Sequence, residues 1–105
     1  IELRDGSRLV MLRPYEIDWV SAAGNYVELH GSFGSELARR TMADIEATLA
    51  PHGFVRVHRS AIVNVNTIAK LQMLANGEHQ LMLTNGQAVK VSRSYKDRVK
   101  QVFSH

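Results

Sequence analysis

His58, Arg59 and Ser60 follow one another at the end of "FVRVH", where Val55 and Val57 alternate with Phe54, Arg56 and His58 at the period of a β-strand. An imidazole, a guanidinium and a hydroxyl in a row suit acyl transfer, metal binding or recognition of an anion. A Ser60–His58 catalytic pair needs a third group to orient the base and a strained turn to present the hydroxyl. Ser60 instead stands beside Arg59 without nucleophile-elbow glycines, and nothing in the sequence fixes a base. The acids form no paired-carboxylate motif, and there is no Gly-rich phosphate loop. Histidines 30, 52, 58, 79 and 105 show neither His-x-x-x-His spacing nor an acid-flanked pattern, so no metal site is expected. The sequence reads as a non-enzyme with no cofactor.

Recognition of an anion fits the charge distribution better. The net charge of +3 hides an asymmetry: residues 1–50 carry five Lys/Arg against eight acids, whereas residues 51–105 carry eight against only Glu78 and Asp97. A split of this kind points to an anionic partner, nucleic acid or an anionic surface, although a solvated basic face with no partner produces the same count. Single-strand RNA readers need exposed stacking aromatics, and aromatics are only 7% of this chain, most of them in apolar patterns.

The elements that must position these residues are short. With 105 residues, 45% hydrophobic and 22% charged, the chain reads as one globular domain with a real core. No apolar run approaches the roughly 18 residues of a membrane span. The absence of cysteine fits a reducing compartment, so a cytoplasmic domain without membrane contact is expected. Asp5-Gly6, Asn76-Gly77 and Asn85-Gly86 mark tight hairpin turns. Between the turns lie the strand-length runs "RLVML", "IDWVSA", "YVELHG", "FVRVH", "IAKLQML", "HQLMLT" and "AVKVS". Residues 41–50 break the pattern: Met42, Ile45 and Leu49 fall at helical spacing behind Thr41 as N-cap, and Pro51 and Gly53 stop the helix. A second short helix is expected near the C-terminus, with Tyr95, Val99, Val102 and Phe103 on one face and Ser92 or Ser94 as its cap. Trp19, Phe54, Val57, Ile62, Val63, Leu81 and Leu83 are assigned to the core. The reading is mainly β, with mostly antiparallel pairing.

Four blocks together resemble one known family. "FVRVHRSAIVN" is similar to the signature of the LytTR DNA-binding domains found at the output end of LytR/AlgR-type response regulators. "IDWVSAAGNYVELH" resembles that family's strand, loop and Asn-Tyr-Val strand, "ARRTMADIEATL" its Arg-Thr-helix block, and "NGQAVKVSRSYKDRV" its closing strand ending in Val-Ser-Arg. The resemblance runs over nearly the whole chain. It implies an elongated arrangement of small antiparallel sheets, and sequence-specific binding to promoter duplex DNA through loops in the major groove. It also implies that residues 1–105 are the C-terminal part of a longer regulator with an N-terminal sensory or receiver domain. A second copy on a repeated DNA site is a further expected partner.

By that resemblance Asn25, Arg59 and Arg93 match the family's base-contacting positions. The chemistry agrees: a guanidinium fork pairs bidentately with guanine or clamps a phosphate, and an asparagine amide pairs with adenine. Each has a plainer reading as well: a left-handed turn for Asn25, an idle surface charge for the two arginines. His58 is expected to face a backbone carbonyl and orient the loop. Ser60 and Ser92 are candidate helix caps or phosphate donors, Ser94 a cap and a phosphate or loop-supporting residue, and Lys90 and Lys96 phosphate contacts. The competing class is a basic β module that docks an acidic protein or anionic surface.

Overall fold

The alternating runs form strands because branched and aromatic side chains can bury one face of a pleated ribbon while the other stays wet. The structure, a computed structural model, describes residues 1–104. Every strand pairing is antiparallel. β1 (Glu2–Asp5) and β2 (Arg8–Met11) form a two-stranded ribbon. β3 (Ile17–Ala23), β4 (Tyr26–Gly31), β5 (Gly34–Ala38), β6 (Phe54–His58) and β7 (Ala61–Asn64) form a five-stranded sheet in the order β5-β4-β3-β7-β6. β8 (Ile68–Met73), β9 (His79–Leu83) and β10 (Ala88–Val91) form a three-stranded meander. Helices α1 (Met42–Leu49) and α2 (Lys96–Val102) complete the fold.

The five-stranded sheet separates two cores. On one face Val20, Val27, Leu29 and Ile62 pack with Ile45 and Leu49 of α1 and with Leu3 and Leu12. On the other, Val57 and Val63 pack with Leu81, Leu83, Val89, Val91 and Val99 of α2. Stacking layers on both faces of one narrow sheet lengthens the molecule to 47 × 24 × 23 Å, the elongated mainly β form expected. Among the described residues the single buried polar side chain, Asn64, is satisfied: its amide donates to the Ile17 carbonyl at 2.9 Å, and its oxygen accepts from Asn66 N–H.

α1 starts where its cap residue directs. Thr41 Oγ accepts from Asp44 N–H at 3.0 Å, and after Leu49 a 3₁₀ turn through Pro51 ends at Gly53, whose φ of +84° only glycine adopts freely. The second helix departs from expectation. Ser92 and Ser94 make no side-chain cap; a 3₁₀ turn over Arg93–Tyr95 comes first, and α2 begins at Lys96. Trp19 also departs, being half-buried against the second core with its indole stacked on His30 at a centroid distance of 4.4 Å. The other six residues assigned to the core are buried. In the Asn-Gly turns the glycines alone take positive φ, while Asn76 and Asn85 accept from the N–H groups of Glu78 and Gln87.

Candidate nucleic-acid interface

The β6–β7 turn consists of Arg59 and Ser60, and the geometry of β6 just before it explains its orientation. A β-bulge between Arg56 and His58 leaves Val57 without a Cα partner on β7, and bulges re-aim the residues that follow. Val57 itself is fully buried in the second core. Its carbonyl accepts from Ser92 N–H at 2.9 Å, which ties the exit of β10, and so Arg93, to the end of β6. On the other side Ala22 N–H donates to the Ser60 carbonyl at 3.0 Å. That bond holds the β3–β4 hairpin, with Gly24 and Asn25 at its tip, beside the same turn. Three loops far apart in sequence thus meet at one end of the sheet.

Each tip is exposed. Asn25, Arg59 and Arg93 all face solvent. Gly24 carries the positive φ of the hairpin, +63°, and among the described residues no non-glycine does so. Asn25 is therefore not the left-handed residue of its turn, and the plainer reading of its presence there falls away.

The backbone under Arg59 is braced by a residue the sequence reading passed over. Arg56 donates from Nη2 to the Arg59 carbonyl at 2.6 Å and from Nε to the His58 carbonyl at 3.3 Å. Its Nη1 pairs with Glu46 of α1 at 3.1 Å, and Arg98 of α2 pairs with the other Glu46 oxygen at 3.2 Å. Both guanidinium groups lie over the Tyr95 ring, at 5.8 and 5.0 Å from its centroid. One cluster thereby fixes the Arg59 turn and the Arg93–Tyr95 turn against both helices. Nothing local in the sequence marks it, because Glu46 is ten residues from Arg56 and 52 from Arg98.

His58 and Ser60 pair with each other, which corrects both earlier expectations. Ser60 N–H donates to His58 Nδ1 at 3.2 Å, and the Ser60 hydroxyl lies 2.8 Å from the same nitrogen. A backbone N–H can only donate, so Nδ1 is the acceptor and the neutral ring carries its proton on Nε2. The imidazole orients the loop through Ser60, not through a carbonyl, and Ser60 caps no helix.

A cavity of about 420 Å³ gathers His58, Lys90, Ser92, Arg93 and Lys96 with Glu78 from the β8–β9 hairpin. Lys90 Nζ is 2.9 Å from Glu78 Oε2, and that hydrogen bond, followed by the charge of Lys90, the hydrogen bond from Asn76 and the charge of Arg93, holds the Glu78 carboxyl below its usual range. A second cavity, about 590 Å³, places Asn25 with Tyr26, Arg39, Arg40 and Thr41. Arg40 is tied down by Asp44 at 2.6 Å and by Thr48 at 3.0 Å, while Arg39 is exposed beside Asn25. Of the expected site residues, Asn25 thus sits apart from the basic cavity, and Arg59 and Ser94 stand outside both.

Exposed polar tips on a rigid β scaffold, set on a basic end, define a domain built to contact an anionic polymer. The LytTr DNA-binding domain model matches residues 7–104, and the chain belongs to that family. It is 28% identical over 103 residues to the sensory transduction protein LytT of Bacillus subtilis, covering 98% of this chain and 43% of that protein. It is 33% identical over 101 residues to the transcriptional regulatory protein BtsR of Escherichia coli K12, covering 92% and 40% respectively. The chain therefore spans about two fifths of the length of these relatives. Its fold superposes with a TM-score of 0.86, at 22% identity, on the LytTr DNA-binding domain of a Bacillus cereus protein described as a methyl-accepting/DNA response regulator, over 100% of this chain and 96% of the other. No helix among the described residues is long and apolar enough to cross a membrane.

Proposed function

We propose that this domain binds promoter duplex DNA in a sequence-specific manner by inserting its loop tips into the major groove. Asn25, Arg59 and Arg93 are the base readers, and Lys90, Lys96, Ser92 and Ser94 are phosphate-side contacts, with His58 and Ser60 shaping the loop between them. One observation carries the reading: two backbone hydrogen bonds, Ser92 to Val57 and Ala22 to Ser60, bring the three tips to the same end of one sheet. A bidentate arginine or asparagine discriminates between bases by about 1–3 kcal/mol, and lysines on phosphates add affinity without adding sequence information. The domain is a binder and not a catalyst. It acts in the cytoplasm, as the output part of a regulator whose receiver or sensory domain lies outside residues 1–105, and a second copy binds the other half of a repeated site.

Selection of binding sites from random duplex DNA with the purified protein tests this reading. A defined motif is the expected result. Equal retention of all sequences, with affinity that simply follows salt, is the result expected of a generic polyanion or acidic-protein binder.

A further inference from the structure

A carboxylate lines the proposed phosphate-binding cavity. Glu78 is one of only two acids in residues 51–105, and it is the one that lines this cavity with Lys90, Arg93 and Lys96. It is held there by Asn76 and Lys90. Asn76 Nδ2 donates to Oε1 at 3.0 Å, the Glu78 N–H donates to Asn76 Oδ1 at 3.0 Å, and Lys90 Nζ donates to Oε2 at 2.9 Å. The tight turn at Gly77, with its φ of +84°, precedes it, and the next residue, His79, pairs with Val91 of β10. A carboxylate oxygen presents an ammonium with the same anionic acceptor that a phosphate oxygen does.

We propose that Glu78 is a built-in competitor for backbone phosphate, holding Lys90 in the free protein so that a duplex engages this cavity only by displacing it. This rests on the DNA-binding reading given above. Binding to an unrelated duplex is driven by phosphate neutralisation alone, so the competition falls hardest on that mode. The cognate duplex compensates through base contacts that Glu78 does not touch. Glu78 therefore acts as a specificity-determining residue without reading a base.

The test is a salt titration of affinity for the selected cognate duplex and for a scrambled one, with the 105-residue protein and its variants. Glu78→Gln retains an oxygen that can accept from Asn76 while removing the charge. It should raise affinity for the scrambled duplex by about two- to five-fold, the size of an exposed ion pair released. It should also steepen the slope of log affinity against log salt by about 0.9, because Lys90 becomes one more phosphate contact. The gain should shrink in a Lys90→Ala background and should exceed that of Asp97→Asn, which removes the other acid of the basic half. Glu78→Ser is the second variant, and thermal melting verifies the fold of each. An unchanged slope, a gain equal to that of Asp97→Asn, or a loss confined to the cognate duplex overturns the competition. That last result makes Glu78 a cytosine reader instead. Failure of the wild type to prefer any duplex is a separate outcome that overturns the DNA-binding reading beneath it.

Discussion

The β6–β7 turn and the β3–β4 hairpin present comparable tips, Arg59 and Asn25, on supports of different chemistry. Under Arg59 lies the Glu46–Arg56–Tyr95–Arg98 cluster, in which two guanidinium groups share one carboxylate. The base of the Asn25 hairpin is held by a histidine. His30 of β4 stacks on Trp19 of β3 and has Nε2 2.8 Å from the Ser21 hydroxyl. The contrast teaches that one end of a sheet can be braced at one turn by ion pairs and at the next by a stacked histidine. The first ties two of the loop tips together through both helices; the second serves a single hairpin.

The comparison breaks most visibly at Arg56. Its side chain is 15% exposed, so Arg56→Ala removes two bonds to turn carbonyls and leaves Glu46 with Arg98 alone. Loss of a charge-assisted, partly buried network of this kind destabilises a fold by about 1–3 kcal/mol. Urea unfolding should show that loss, and cognate affinity should fall even where the variant is folded, because the Arg59 backbone is no longer held. Retention of full stability and full cognate affinity in Arg56→Ala would mean that the turn holds its shape without the brace.

The titratable support gives a smaller effect with a defined sign. Burial lowers the His30 pKa below its ordinary 6.5, against a weaker opposing pull from Glu28. The unfolded chain therefore takes up the proton first as pH falls. The stability this site contributes is complete above about pH 6.5 and declines as pH drops from there toward the folded-state value. Trp19, the one tryptophan in the chain, reports the change directly through its stacked partner. Chemical denaturation followed by Trp19 fluorescence between pH 7.5 and about 5.5 should show stability falling with pH. His30→Gln should flatten part of that dependence. A His30→Gln profile identical to the wild type would remove histidine from the hairpin's support.

What could be seen in the sequence divides along the same physical line. Strands with one wet face, such as β4, were legible because Val27 and Leu29 alternate with Tyr26, Glu28 and His30. β7 carries no such signal, because all four residues, Ala61–Asn64, are buried and no alternation survives. β5, "GSELA", lacks the branched residues that mark a strand and lies at a sheet edge, and β1 is only four residues long. Arg59 and Arg93 were legible as charges placed where strands end in the basic half. Arg56 was not, since it reads as the outward residue of an alternating strand until tertiary structure puts Glu46 and Tyr95 beside it. Ser60 was read as a cap because its partner, the His58 ring, becomes reachable only through the bulge that precedes the turn.

The claim that separate loop tips read separate bases is tested most directly by repeating the site selection with Arg59→Ala and with Arg93→Ala. Both residues are exposed, so melting temperatures should stay close to the wild type. Each variant should lose preference at its own one or two positions of the motif while the remaining positions keep theirs, at about 1–3 kcal/mol of lost discrimination per residue. A motif unchanged in both variants, or one that weakens evenly at every position, would contradict base reading by these arginines and leave them as charges on a basic surface.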